Sequence, residues 1–149
     1  MITEQQKGKR SKQLYELLQS IDILDTREEK IATIQGIVRH YPAFNDYVRC
    51  IFDKKIEFNL PEGRPPFTPS SEAHPTSWNK EHMRLPYFVK GAGRDDINPV
   101  KRESMWIQLL EGIHPEDAVI IADMTDRRLP RGSTLTKKLL NDAVPNLIR

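Results

Sequence analysis

The stretch Asn98–Ile121, NPVKRESMWIQLLEGIHPEDAVII, decides the fold because it marks the start and the end of one helix and the start of another. Asn98 can cap a helix by accepting a backbone N–H of the first turn, and Pro99 suits the first helical position. Gly112 can adopt the left-handed conformation that commonly ends a helix. Pro115 and the two acids after it predict a second helix, since carboxylates favour the positive end of a helix dipole.

One face of the first of these helices is apolar. Four residues recur at the i, i+3, i+4 and i+7 spacing that places side chains on a single helical stripe, namely Trp106, Leu109, Leu110 and Ile113. A large aromatic side chain on such a stripe is usually interior, so Trp106 is predicted to anchor the core. The run Val119–Ile121 also fits a strand, but the proline and the acids ahead of it favour a helix.

Three more helices are predicted in the first third of the chain. The first begins near Ser11 and the second at Thr26, where Glu29 completes the spacing of a capping box. Pro42 ends the second helix, because proline disfavours the helical conformation of the residue before it. The apolar faces of the first and third helices are formed by Leu14, Leu17, Leu18, Ile21, Phe44, Tyr47, Val48 and Ile51.

Residues 59–76 are predicted to form a proline-rich crossover. The preceding residues alternate polar and apolar like a short strand, but the sequence shows no second strand to pair with them, so residues 55–60 are interpreted as an extended connector. Regular structure is not expected in PEGRPPFTPSS at residues 61–71. We favour a crossover that packs on the body through Phe67. The alternative is a partner-binding loop, since proline-rich segments lose little entropy on docking. Its candidate residues are Arg64, Pro65, Pro66 and Phe67.

Two further helices complete the prediction. Residues 78–88 are typical of a helix that ends near Leu85, because Pro86 would break its interior. The last helix starts near Thr134 and ends before Pro145. Together these patterns predict a mostly α-helical chain. A flexible basic tail occupies residues 1–10, and a single compact domain of about six or seven short helices occupies residues 11–149.

Composition excludes several classes of protein. The 149 residues suit one domain. The single cysteine, Cys50, excludes an internal disulfide framework, and its place in a helical pattern predicts a buried structural thiol. The histidines form no metal-binding motif, and the sequence contains no nucleophile elbow, P-loop or dinucleotide fingerprint. No stretch is apolar enough to span a membrane. We therefore expect a non-enzymatic protein with no metal, no cofactor and no membrane partner.

Positive charge is concentrated near the C-terminal end. The net charge of +2 argues for nothing by itself, but residues 127–138 contain no acid and five basic residues, which are Arg127, Arg128, Arg131, Lys137 and Lys138. A helix over residues 118–124, a turn and a helix from Thr134 resemble a helix-turn-helix with a long turn. Lys and Arg make contacts to phosphate, so DNA binding is one hypothesis. We favour the other, that these residues merely solvate an exposed loop.

Five short motifs occur together in the chain after residue 51. They are Phe52-Asp53, Leu60–Phe67, Arg102–Glu111, Pro115–Ala118 and Leu135–Leu139. In combination they resemble a family of small proteins from T-even-like tailed phages. The resemblance implies a phage origin and a place of action in the host cytoplasm. It implies no mechanism.

The leading functional hypothesis is a phage-encoded, non-enzymatic binding protein that acts on a protein or nucleoprotein partner, of host or phage, in the infected cell. One alternative is a DNA-binding protein that uses the basic C-terminal region, and another is a minor structural component of the virion. A protein is the expected partner, and nucleic acid is the second candidate. An exposed apolar groove would favour protein binding, and a contiguous basic face would favour DNA.

Overall fold

Seven α-helices and one 3-10 helix build the part of the chain that the computed structural model describes, residues 11–71 and 74–149. In chain order they are α1 (Leu14–Asp22), α2 (Arg27–His40), α3 (Pro42–Phe52), α4 (Trp78–Glu81), the 3-10 helix (His82–Tyr87), α5 (Pro99–Gly112), α6 (Pro115–Met124) and α7 (Lys137–Ala143). The prediction of a mostly α-helical fold with about six or seven helices is confirmed. The tail predicted at residues 1–10 lies outside the described residues.

Side-chain caps fix two helix starts where the sequence placed them. Thr26 Oγ1 accepts the backbone N–H of Glu29 at 3.2 Å, and the Glu29 carboxylate accepts the Thr26 hydroxyl at 2.8 Å. The Asn98 side chain accepts the N–H groups of Val100 and Lys101. These bonds satisfy donors that the first turn of a helix leaves unpaired. The predicted starts of α2 and α5 are therefore confirmed.

Two tryptophans lie at the centre of the core. Trp106 is 2% exposed, and its ring meets Phe88 edge to face with 4.9 Å between the centroids. Trp78 is fully buried and donates its indole N–H to Ala43 O at 2.9 Å, which ties the start of α4 to α3. The predicted apolar faces of α1 and α3 are buried as well. The anchor role predicted for Trp106 is confirmed, and Trp78 is a second anchor.

Gly112 is the last residue of α5, and it does not take the left-handed conformation that was predicted. The chain leaves the helix through Ile113 in an extended conformation, with a φ of −99°. A Cβ atom on Gly112 would lie 3.1 Å from Cγ2 of Thr76, whose N–H donates to Gly112 O at 3.1 Å. Glycine suits this position because the end of the crossover approaches the helix closely, and any Cβ would require the Thr76 side chain to shift.

The extended connector at residues 55–60 finds a partner that the sequence did not reveal. Phe58 and Val89 form an isolated antiparallel bridge, and two backbone hydrogen bonds of 2.7 and 2.8 Å join the residues on either side of it. Val89 escaped sequence analysis because it follows a helical segment and belongs to no alternating run. The bridge fastens the connector to the residues that follow the 3-10 helix.

The helix predicted over residues 78–88 divides into two. α4 ends at Glu81, before the predicted end near Leu85, and a 3-10 helix continues through Pro86. Pro86 has no N–H to donate to His82 O, so it removes an α-helical hydrogen bond from this turn. The tighter helix has three residues per turn. Side chains after Glu81 therefore point in directions that an α-helical pattern does not predict.

α7 packs mainly against α2, where Gln35 donates to Ala143 O at 3.0 Å. The helix starts later than the predicted position near Thr134, because the Thr134 N–H and hydroxyl donate to Asp22 Oδ1 at 2.9 and 2.8 Å and Thr136 is the N-cap. It ends at Ala143, ahead of Pro145 as predicted. None of the helices in the described ranges is long and apolar enough to cross a membrane.

Candidate partner-binding site

Arg127, the first residue of the predicted basic turn, faces the protein interior. Its backbone φ is 58°, and its guanidinium donates to carbonyl oxygens at the end of α3 and in the connector. These acceptors are Cys50 O at 2.9 Å, Ile51 O at 3.3 Å, Asp53 O at 2.9 Å, and Ile56 O. The last carbonyls of a helix lack hydrogen-bond donors within the helix. The Arg127 guanidinium supplies donors to these carbonyls at the end of α3. Its donors are used within the chain rather than offered to a partner.

The other four basic residues lie on the surface. Arg128 and Arg131 are exposed. Lys137 and Lys138 are exposed at the start of α7, where Lys138 Nζ lies 3.2 Å from Asp142 Oδ2 and Lys137 Nζ lies 3.4 Å from Arg149 O. The main packing partner of α7 is α2 rather than α6. The arrangement therefore departs from a helix-turn-helix, whose two helices are joined by a turn of three or four residues.

The proline-rich crossover is attached to the body at several points. Arg64 makes a bidentate ion pair with Asp123 of α6, with N–O distances of 2.9 to 3.2 Å. The Thr68 N–H donates to the Glu111 carboxylate of α5 at 2.7 Å. Phe67 is half-buried and packs against the core. Pro65 is also half-buried, and Pro66 is exposed. These contacts match the packed crossover that the sequence favoured.

Two polar residues at the beginning of α6 stabilise helix starts. His114 precedes the helix, and its Nδ1 accepts the Glu116 N–H at 3.1 Å and thereby caps α6. Asp117 is buried and accepts the N–H groups of Leu14 at 3.1 Å and Tyr15 at 2.8 Å, which caps α1 as well. Burial raises the pKa of the Asp117 carboxyl, and the two backbone hydrogen bonds act in the opposite direction. The sequence assigned Asp117 only to the dipole of its own helix.

Cys50 is a buried structural thiol, as predicted. Its exposed fraction is 2%, and burial raises its pKa to about 12. A nucleophilic cysteine reacts as the thiolate, so this residue is unsuited to nucleophilic catalysis at neutral pH. Across residues 11–71 and 74–149, no group of three or more His, Cys, Asp or Glu side chains is arranged to hold a metal ion.

A mainly apolar groove lies between α3 and the 3-10 helix. Its volume is about 460 Å³. The apolar walls include Cys50, Ile56, Met83, Leu85, Pro86 and Val89. Met83 is 76% exposed, so its apolar side chain is accessible to a molecule that enters the groove. The groove has the size and the apolar lining of a typical binding site.

Three polar side chains also line this groove. His82 Nδ1 lies 2.6 Å from Asp46 Oδ2, and the histidine side chain is 11% exposed. Arg49 Nε donates to Leu147 O at 3.1 Å, and its Nη1 lies 3.9 Å from Asp46 Oδ1. A mainly apolar cleft with a few fixed polar groups can orient what it binds. This groove is the strongest candidate site among the described residues.

The residues of the groove lie in a part of the chain that matches a known protein family. The model of a family of unknown function, DUF6433, matches residues 17–131. The chain belongs to DUF6433. Comparisons with curated proteins and with solved structures give no match. Every residue that lines the groove falls within the range matched by the family model.

The walls of the groove are held in place by contacts elsewhere in this DUF6433 protein. Arg127 binds the carbonyls of both Cys50 and Ile56, which line the groove. The bridge between Phe58 and Val89 joins the connector to Val89, another lining residue. A preformed site loses less entropy when a partner binds. The structural role of Arg127 therefore contributes to the site even though the residue does not line it.

The sequence gives no sign of the groove. Residues 78–88 were predicted to form one helix that ends near Leu85, and no local pattern distinguishes a wall residue from a core residue. Asp46 and His82 meet across 36 positions in the sequence. A signal was present in Pro86, whose place inside a helical pattern indicated irregular geometry. Met83 lies five positions after the buried Trp78, about 140° away around an α-helix, so its exposure agrees with helical spacing, whereas the residues of α3 that complete the groove are distant in sequence.

Proposed function

We propose that the chain is a non-enzymatic binding protein that holds a segment of a partner protein in the groove between α3 and the 3-10 helix. The observation that carries this proposal is the exposed apolar wall at Met83, beside the fixed polar pair of His82 and Asp46. An exposed apolar surface with a polar edge is typical of an interaction site. The raised pKa of Cys50 supports a non-enzymatic role, because the only thiol of the groove stays protonated.

We further propose that the protein is of phage origin and acts in the host cytoplasm on a host or phage protein, or on a nucleoprotein. The motifs at Leu60–Phe67, Arg102–Glu111 and Pro115–Ala118 support this proposal through their resemblance to small proteins of T-even-like phages. These motifs lie within the residues that the DUF6433 model matches.

A selection from a bead-bound library of random linear peptides tests the groove, with the purified protein as the probe. Peptides enriched on the wild-type protein should bind Met83→Gln about tenfold more weakly, because burial of a methionine side chain contributes roughly 1.5–3 kcal/mol. Dissociation constants of the enriched peptides, measured by fluorescence polarisation, give the ratio.

Ile23→Gln is the matched control for this substitution. Ile23 is 79% exposed, close to the 76% of Met83, and it does not line the groove. The control should bind the enriched peptides like the wild-type protein. A library that shows no enrichment, or an equal loss of affinity in both variants, would overturn the proposal.

DNA binding is the second candidate, and the surface position of Arg128 and Arg131 favours it. In the described part of the chain neither side chain has an ion-pair partner, and Lys137 and Lys138 lie at the start of α7. Because Arg127 is used internally, at most four of the five predicted residues can meet phosphates. Four contacts would give a log–log salt slope of about −3 to −4, at about −0.9 per contact.

The double substitution Arg128→Ala and Lys137→Ala should reduce the magnitude of that slope by about 2. The measurement is a duplex-binding titration from about 50 to 200 mM salt, a range that resolves several contacts. Arg39→Ala with Lys101→Ala removes the same charge from exposed positions elsewhere and should leave the slope unchanged. Absence of binding at the lowest salt concentration would exclude the DNA hypothesis.

A further inference from the structure

Arg49 is the charged side chain of the groove with the loosest internal partner. Its Nη1 lies 3.9 Å from Asp46 Oδ1, which is beyond hydrogen-bond length. Asp46 is held more tightly by His82, at 2.6 Å. The Arg49 side chain is 43% exposed and lines the groove. The guanidinium is therefore open to an incoming group, although it lies beside a carboxylate.

A backbone contact orients this guanidinium. The Nε–H of Arg49 donates to Leu147 O at 3.1 Å, and this is the one hydrogen bond that its donors make to the described residues. A guanidinium has five N–H donors in a planar fork. The Nη groups therefore remain for a ligand, in a geometry that suits both oxygens of a carboxylate.

The charges around the groove leave a positive surplus on the side of Arg49. Two acids beside the groove form ion pairs with bases, as Glu57–Lys90 and Glu81–Arg84. Lys54 and Lys55 follow α3 and are exposed, and neither has an ion pair within the described ranges. The two other acids near Arg49 are Asp46, in the groove, and Asp53, whose carboxylate accepts the Lys55 N–H at 3.0 Å. Three bases, Arg49, Lys54 and Lys55, thus stand against two acids.

We infer that the partner segment held by this groove is an acidic, apolar peptide whose carboxylate binds the Arg49 guanidinium. The inference rests on the proposed function, because it assigns the chemistry of the segment that occupies the same groove. Apolar side chains of the peptide pack on Met83 and Leu85, and an Asp or Glu of the peptide meets Arg49. Electrostatic complementarity of this kind selects among partners that have similar apolar surfaces. A basic apolar peptide would place its charge against Arg49, Lys54 and Lys55.

The peptides selected from the random library test this inference. Asp and Glu should be enriched over Lys and Arg beside their apolar residues. Replacing the acid of an enriched peptide by its amide should weaken binding to the wild-type protein about tenfold, the usual loss for a hydrogen bond to a charged group. The same change should alter binding to Arg49→Gln by less than about twofold, because the two substitutions remove one interaction.

Two variants serve as controls. Lys101→Gln removes the same charge from an exposed position on α5, and it should keep the full preference for acidic peptides. Arg49→Lys keeps the charge but not the planar fork, so it should keep the preference with a lower affinity. Because Arg49→Gln also loses the bond to Leu147 O, circular dichroism confirms its fold. The acid-to-amide comparison on the wild-type protein decides the matter if that variant fails to fold.

The outcomes separate the two proposals. Enriched peptides without a preference for acids would overturn this inference and leave the groove as a peptide site. A preference that persists in full on Arg49→Gln would overturn the assignment to Arg49. A library that yields no enriched peptide overturns the proposed function itself.

Discussion

Replacing Arg127 by alanine should lower the free energy of unfolding by about 3–4 kcal/mol, since hydrogen bonds to a charged group contribute roughly 1.5–3 kcal/mol each and are not additive. The guanidinium donates to the carbonyls of Cys50, Ile51, Asp53 and Ile56, and alanine would remove all of these bonds, leaving Asp53 O with only the Ile56 N–H at 3.1 Å. Urea denaturation, followed by tryptophan fluorescence, measures the change. The Arg127→Ala substitution should also loosen the connector, whose residue Ile56 lines the groove.

Arg128→Ala is the matched control, because the neighbouring arginine is exposed and makes no such bonds. A surface substitution of this kind is expected to change stability by no more than about 0.5 kcal/mol. The Arg127→Lys variant should also lose most of the stability that the Arg127 side chain contributes. A single ammonium group cannot bridge several carbonyls in the way that a planar guanidinium does. Equal stabilities of Arg127→Ala and Arg128→Ala would contradict the structural role of Arg127.

Replacing Trp106 by alanine should destabilise the protein by about 3–5 kcal/mol, the usual loss when a large core site is emptied. The indole is 2% exposed and packs against Phe88, with 4.9 Å between the ring centroids, and against Phe58 at 6.3 Å. The connector and the 3-10 region therefore lose a shared packing surface in the variant. Chemical denaturation monitored by circular dichroism gives the free energy without relying on the lost chromophore.

Trp106→Phe is the informative comparison for this site. It keeps an aromatic ring on the apolar stripe of α5 and should retain much of the stability, because a smaller cavity costs less than a larger one. A loss below about 1 kcal/mol for Trp106→Ala would contradict core packing, since emptied core sites lose more than this. In that case the tryptophan would become a candidate binding residue.

Local signals in the sequence were sufficient for most of the helices. Thr26 and Asn98 as caps, and Pro115 as a first helical residue, each act within one turn of their own position, so these roles are visible in a short stretch of sequence. Trp106 lies on a stripe whose spacing the sequence shows directly. Helix starts, the apolar faces and the main anchor of the core were therefore predictable.

Roles that depend on distant partners were not predictable in the same way. Arg127 read as one of five basic surface residues, because its acceptors lie more than 70 positions earlier in the chain. Gly112 read as a left-handed helix end, because nothing near it shows that Thr76 would pack against it. In both cases the residue type fits two uses, and only a contact made by folding selects between them.

The groove was hidden for a related reason. Helical spacing places Met83, which is exposed, on a different side from the buried Trp78. It does not show that residues of α3 and of the connector lie beside Met83 and complete a groove. That arrangement depends on contacts between elements that are distant in sequence.

Several polar contacts of this helical protein join residues that are far apart in the sequence. We therefore expect it to fold more slowly than its helix content alone would suggest. Asp117 meets Leu14 across 103 positions, and Gln35 meets Ala143 across 108. Helical proteins with mostly local contacts fold in microseconds to milliseconds, and rates fall as contacts become more distant in sequence. Here long loops must close, with their loss of entropy, before these bonds form. We expect the meeting of distant segments to limit the rate, since individual helices form within about a microsecond.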